Sequence, residues 1–133
     1  MAALCLGTAA AASGQNFRHS DVTLPVPYEV EQFAVADVNG DGQADVVIPM
    51  HDENRLSIQL GNSRGAFLQG PQIDVGIWPV AVVAKDIDGD GIVDYVAANK
   101  GGDTVTVVKG LAGGGTGAPT HYPVGHNPNH VVT

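Results

Sequence analysis

Asp37-Val-Asn-Gly-Asp-Gly-Gln-Ala-Asp45 returns 49 residues later as Asp86-Ile-Asp-Gly-Asp-Gly-Ile-Val-Asp94. Oxygen-bearing side chains stand at positions 1, 3, 5 and 9 of both copies: Asp37, Asn39, Asp41 and Asp45, then Asp86, Asp88, Asp90 and Asp94. Position 6 is glycine (Gly42 and Gly91), which takes the positive φ of a sharp turn without steric cost. Such a turn gathers its odd-numbered side chains inward, and position 7 (Gln43 or Ile92) can add its backbone carbonyl. The donor set is all oxygen, which suits a hard cation such as Ca2+ and not zinc or copper. Two unit charges about 4 Å apart repel by roughly 4 kcal/mol at an effective dielectric near 20. Three or four acids in one turn therefore call for a cation, and two Ca2+ sites are expected. Asp, Asn and Gly also make ordinary turns. The recurrence of the whole pattern, closing Asp included, favours the metal.

The flanks decide what kind of loop this is. An EF-hand closes its loop with a bidentate Glu at position 12, at the start of a helix. Position 12 here is Ile48 or Ala97, so that ligand is absent. Short β-branched and apolar runs stand on either side: Phe33–Ala36 before and Asp45–Pro49 after the first loop, Val80–Ala84 before and Asp94–Ala98 after the second. Each loop joins two strands, and a helix-loop-helix is ruled out.

The 49-residue register continues beyond the loops without a gap: Gly61 maps to Gly110, Gly65 to Gly114, and Val75-Gly76 to Val124-Gly125. Four strands are expected per repeat. In the first copy they are Phe33–Ala36, Asp45–Pro49, Leu56–Leu60 and Phe67–Ile73. In the second they are Ala81–Lys85, Asp94–Ala98, Thr104–Lys109 and Thr120–Val124. Leu56-Ser-Ile-Gln-Leu60 alternates as a half-buried strand should. Leu111 to Gly117 is so glycine-rich that a mobile turn is expected. Four strands in about 49 residues is the pattern of a β-propeller blade. The chain thus divides into a leader (1–14), a lead-in (15–31), a first repeat (32–80), a second (81–129) and the start of a third (130–133), in which Pro128 and Val131-Val132 match Pro79 and Val82-Val83. The next acidic loop would fall due two residues after Thr133, so the array is expected to continue. The Pro-rich run Thr23–Tyr28 is excluded from any central strand.

Composition bounds the function. Of 133 residues, 18 are Gly and 8 Pro, aromatics are few, and no segment has helical periodicity, which indicates an all-β chain with many turns. The formal net charge is −8, and half of the 14 acids lie in the two loops. With only six Lys and Arg, nucleic acid and anionic membrane are poor partners. Cys5 is the sole cysteine, so no internal disulfide can form. It lies in an apolar, small-residue stretch, Ala2–Ala12, that resembles the hydrophobic part of a secretory signal, with Ala10-x-Ala12 as a cleavage site. That stretch is too short to span a bilayer. An extracellular or cell-surface location, or a periplasmic one, is expected, where millimolar calcium fills weak loop sites.

These features together resemble the FG-GAP/VCBS-type repeat and are similar to the calcium-binding blades of integrin α-subunit propellers. The lead-in Gly76-Ile-Trp-Pro79, the D-x-[DN]-x-D-G-x-x-D loop and the Thr104–Val108 strand followed by a Gly-rich turn carry the likeness over about residues 28 to 133. One departure is Thr116, which stands where the first repeat has Phe67. The resemblance implies a propeller of about seven blades. It also implies calcium loops on the face opposite the ligand surface, and remaining blades supplied by the same polypeptide.

Other clusters are weaker. His126 and His130 are four apart, but Pro128 between them opposes a helical metal pair. His51-Asp52-Glu53 is replaced by Lys100-Gly101-Gly102 in the second copy, as in a variable turn. Trp78 is expected to pack between blades rather than to offer a sugar-stacking platform. No catalytic motif is present, and no catalytic residue is assigned. The expected function is a non-catalytic, exported calcium-binding scaffold for adhesion or for an unidentified protein or glycan ligand. The alternative is the propeller portion of a carbohydrate-active enzyme, such as a polysaccharide lyase, or of a lectin.

Overall fold

Runs of β-branched residues cut by Gly- and Asp-rich turns satisfy their backbones by pairing sideways, and this chain does so twice over. A computed structural model describes residues 2–5, 23–26 and 30–133. The stretch Ala10–Ala12, expected as a cleavage site, the polar segment Asn16–Asp21 and Tyr28 lie outside the described residues. Two short strands, β1 (Ala2–Cys5) and β2 (Thr23–Val26), form an antiparallel ribbon of their own. Pro25 stands opposite Ala3 there. A two-stranded ribbon has only edges, so this agrees with the exclusion of Pro25 from a central strand.

The first sheet is a meander of β3 (Ala34–Ala36), β4 (Asp45–Met50), β5 (Arg55–Gly61) and β6 (Phe67–Asp74), paired antiparallel in chain order. A single 3-10 turn, His51–Glu53, joins β4 to β5. Pro49 sits in β4, a central strand, but β3 pairs only as far as Ala34 opposite Val47. On the β3 side, then, Pro49 deprives no strand of a donor. The second sheet repeats the meander with β7 (Pro79–Lys85), β8 (Asp94–Asn99) and β9 (Thr104–Val108). A hairpin of β10 (Gly110–Leu111) and β11 (Gly115–Thr116) follows, and β12 (Thr120–Pro123) closes the sheet against β9. All eight expected strands are present, with ends moved by at most two residues. Leu111 to Gly117 differs: it is a paired hairpin, its tip Gly113–Gly114 taking φ of 80° and 84°.

The sheets pack face to face. Val47, Leu56, Ile58 and Ile73 of the first meet Val82, Tyr95, Ala97 and Val108 of the second in one continuous core. The other face of the first sheet carries Val46 and Ile48 under Val30, Met50 and Phe67. The other face of the second holds Ala81 and Ala98 against Val131 of the third repeat. Positions 49 apart therefore occupy the same face of their sheets: Val46 packs under Val30 and Phe67, and its counterpart Tyr95 packs on the first sheet. Burial, then the charges of Asp45 and Asp94, push the Tyr95 phenol up to about 12. Leading strands of the two repeats run parallel. Gln32 bridges Ala81, with Gln32 N–H donating to the Val80 carbonyl (3.2 Å) and Val82 N–H to the Gln32 carbonyl (3.1 Å). Two four-stranded antiparallel sheets arranged this way are consistent with propeller blades. No helix among the described residues is long and apolar enough to cross a membrane.

Candidate metal centre

Each acidic loop leaves its leading strand at one end of its sheet and returns as the second strand, so both loops lie at the same end of the molecule. The bend is made by two glycines per loop, not one. Gly40 and Gly42 have φ of 77° and 82°, and Gly89 and Gly91 have 85° and 84°. Only position 6 was expected to need this; position 4 shares the left-handed backbone. With those residues turned, successive N–H groups point inward onto the position-1 carboxylate. Asp37 Oδ1 accepts from Gly40 N–H (2.8 Å) and Asp41 N–H (3.1 Å), and Oδ2 from Gly42 N–H (2.8 Å). Asp86 accepts from Gly89 (2.7 Å) and Gly91 (2.8 Å) in the same manner. The N–H groups of Gly91 and Gly89 hold the Asp86 carboxyl below the usual carboxylate range, with a smaller contribution from Lys109.

Positions 3 and 5 cap the backbone two residues on. Asn39 Oδ1 accepts Asp41 N–H (3.1 Å), Asp41 accepts Gln43 N–H (2.8 Å), Asp88 accepts Asp90 N–H (3.2 Å) and Asp90 accepts Ile92 N–H (2.8 Å). Position 9 is different in kind. Asp45 and Asp94 are buried, at 0% and 2% exposure, and each uses both oxygens. Asp45 Oδ2 accepts Val38 N–H (2.8 Å) and Oδ1 accepts Gly61 N–H (2.9 Å). Asp94 does the same with Ile87 (3.1 Å) and Gly110 (2.9 Å). The closing acid thus ties the start of the loop to the end of the third strand. The third strand needs glycine at that point: a Cβ on Gly61 would overlap the Ala44 carbonyl oxygen, and one on Gly110 that of Val93. In the sequence both glycines stand out only as marks of the repeat; the close approach is a feature of the folded chain.

Among the described residues, carboxylate oxygens of Asp86, Asp88 and Asp94 all lie within 4.8 Å of one another. This is an oxygen-only cluster, and the residues present fit a hard divalent cation. Asp90 lies outside that group of three and is exposed. In the first loop Asn39 replaces the acid of position 3, and its Nδ2 donates to Asp41 Oδ2 (3.0 Å). Lys109 reaches the second loop and pairs with Asp88. The equivalent residue in the first repeat is Leu60, packed against the core. Beside the loops, Asp37, Val38 and Asn39 share a small cavity with Gly91, Ile92 and the Ala112–Gly114 tip. The glycine-rich hairpin of the second repeat therefore stands over the first loop.

At the opposite end of the sheets two further positions repeat. Asn54 and Asp103 take φ of 55° and 49°; Trp78 and Asn127 take 58° and 53°. Asn54 Oδ1 accepts Trp78 N–H, and Asp103 Oδ1 accepts Asn127 N–H, both at 2.9 Å. Asp103 also pairs with His126 Nδ1 at 2.9 Å. The Asn127 N–H, then His126, hold its carboxyl below the usual range. His130 is exposed, and no helical histidine pair forms. The Asn/Asp identity at 54 and 103 was the available signal for this clamp. Residues 37–97 match the FG-GAP-like repeat family. No curated protein and no solved structure matches the chain.

Proposed function

We propose that this chain, an FG-GAP-like repeat over residues 37–97, is a non-catalytic binding scaffold whose acidic loops are each closed by Ca2+. The observation that carries this reading is the convergence of Asp86, Asp88 and Asp94 within 4.8 Å, in a loop whose backbone frame recurs 49 residues earlier. Asp37, Asn39, Asp41 and Asp45 would hold the first ion and Asp86, Asp88, Asp90 and Asp94 the second, with the carbonyls of Gln43 and Ile92 completing the two sets. The ion supplies charge neutralisation and a rigid bend. The ligands of each site come from a single turn, which leaves little room for substrate, and this supports a structural clip.

Its magnitude fits that role. At a dissociation constant near 10⁻⁴ M and about 1 mM calcium, one site adds about 1.4 kcal/mol of stability. Such weak sites fill outside cells, which supports an exported protein acting at the cell surface or in a secreted assembly. Adhesion or capture of a protein or glycan partner is the function proposed for the remaining surface. Calorimetric titration of the full chain with CaCl2 tests the reading, with thermal melts in calcium and in chelator. Two weak sites and a calcium-dependent rise in melting temperature are expected. Asp41→Ala combined with Asp90→Ala should abolish both. Equal melting with and without chelator in the parent chain would refute the proposal.

A further inference from the structure

The end of the sheets away from the acidic loops holds a cavity of about 290 Å³, lined by His51, Asp52, Asn54, Ile77 and Trp78. Three observations there have no part in the metal clip. First, Trp78 is the only tryptophan and sits at φ 58°. The backbone clamp imposes this conformation in both repeats, and the second repeat fills it with Asn127, a residue type that tolerates it. The first repeat places a bulky aromatic in the same strained position and leaves it 39% exposed. Gly101 makes room beneath it, since a Cβ there would come within 2.8 Å of the Trp78 Cβ.

Second, His51 lies against the indole, with ring centroids 6.0 Å apart and planes 30° off parallel. Its side chain is 15% exposed, its Nε2 is 3.3 Å from Asp52 Oδ1, and its buried Nδ1 has no partner among the described residues. Third, Asn54 commits Oδ1 to the Trp78 N–H, which turns its amide nitrogen to the role of donor.

An indole platform beside an exposed carboxylate and an amide donor matches a pyranose ring. The C–H face of the sugar lies on the aromatic face, and its hydroxyls bridge the planar polar groups. The volume admits one such ring. Two other ligand classes fit less well. Lys100 Nζ already stands 5.9 Å from the Trp78 centroid, so a second cation over the indole would be repelled. Asp52 and Glu53 in the turn, on a chain of net charge −8, oppose a phosphate.

We propose that this cavity is a neutral-glycan subsite, with Trp78 as the stacking surface, Asp52 and Asn54 as hydroxyl partners, and the buried His51 ring as the wall that holds the indole in place. It names a ligand class for the scaffold reading and rests on that reading, but none of its residues belongs to the acidic loops. Trp78, as the sole tryptophan, reports on the site directly. The full chain in calcium is titrated with maltohexaose, cellohexaose and mannohexaose while Trp78 emission and its quenching by acrylamide are followed. A saturable emission change with at least threefold protection from acrylamide, for one of the three, is the expected result. Trp78→Asn, which copies the second repeat's residue at a clamped left-handed position, should weaken calorimetric binding of that sugar at least tenfold. Its calcium isotherm should match that of the parent. No saturable response to any of the three sugars overturns the subsite, as does binding that survives Trp78→Asn. Should the variant misfold, the acrylamide protection of the parent chain decides alone. The calcium isotherm separates failure of this subsite from failure of the metal clip.

Discussion

The two repeats fasten their acidic loops identically and then differ in what surrounds the fastening. In both, a buried Asp accepts one N–H from the loop and one from a glycine sixteen residues on, Gly61 or Gly110. Beyond that, the first loop has Asn39 and no cation from the third strand. The second has Asp88 with Lys109 paired to it. At the far end, the first repeat clamps Trp78 with neutral Asn54, and the second clamps Asn127 with Asp103 and adds His126. The lesson is that backbone ties are held fixed between repeats while charge and side-chain bulk vary around them. The two acidic loops are therefore not twins: the frame is common, the electrostatics are not.

The largest effect should fall on the shared tie. Asp45→Ala or Asp94→Ala leaves two N–H groups without acceptors, at about 1–3 kcal/mol each where they are buried. Urea denaturation in chelator should show a loss of about 2–5 kcal/mol for either variant. A loss below about 1 kcal/mol in one repeat alone would break the claim that the ties are equivalent. Next comes the lysine. Lys109→Leu installs the first repeat's residue and frees Asp88, so calcium affinity at the second loop should rise. Exposed ion pairs contribute up to about 1 kcal/mol, so the gain should be up to about fivefold by calorimetry. Unchanged affinity would mean that the ammonium swings aside at no cost.

The smallest effect concerns pH. The folded pKa of Asp103 lies below its ordinary value of 3.8. Its stabilisation is therefore complete above that value and is lost as pH falls through the lower folded pKa. Asp103→Asn keeps the Oδ1 acceptor, as Asn54 does in the first repeat, and removes the titration. Acid unfolding of the variant should lose this component of its pH dependence, and a carboxyl titration by NMR in the parent should place Asp103 below 3.8. An Asp103 that titrates at or above 3.8 would leave the two clamps alike.

Much of this was legible in the chain. Strand positions followed from the alternation and from the Asp and Gly turns, because both signals are local. The loops were legible because their chemistry is written in consecutive residues. What the sequence did not disclose is long-range. The double hydrogen bonding of Asp45 and Asp94 depends on a strand sixteen residues away, and the close approach at Gly61 and Gly110 depends on the carbonyls of Ala44 and Val93. The β10–β11 hairpin was hidden because Gly113-Gly-Gly115 has no side chains with which to signal pairing. Trp78 was expected between blades, and it does lie between the His51 turn of one repeat and Lys100 of the next; that it stays 39% exposed there follows from the left-handed backbone, which a Trp does not advertise.

Gly61 and Gly110 have one more effect. Because only glycine passes beneath the carbonyl at that crossing, each marks a notch at which its strand can seat in a single alignment. Sliding the strand by one residue would bring Leu60 or Lys109 under the oxygen and turn every inward side chain outward. The sheet is thereby indexed from within the polypeptide, and transfer into chelator should not let the neighbouring strands skip a step.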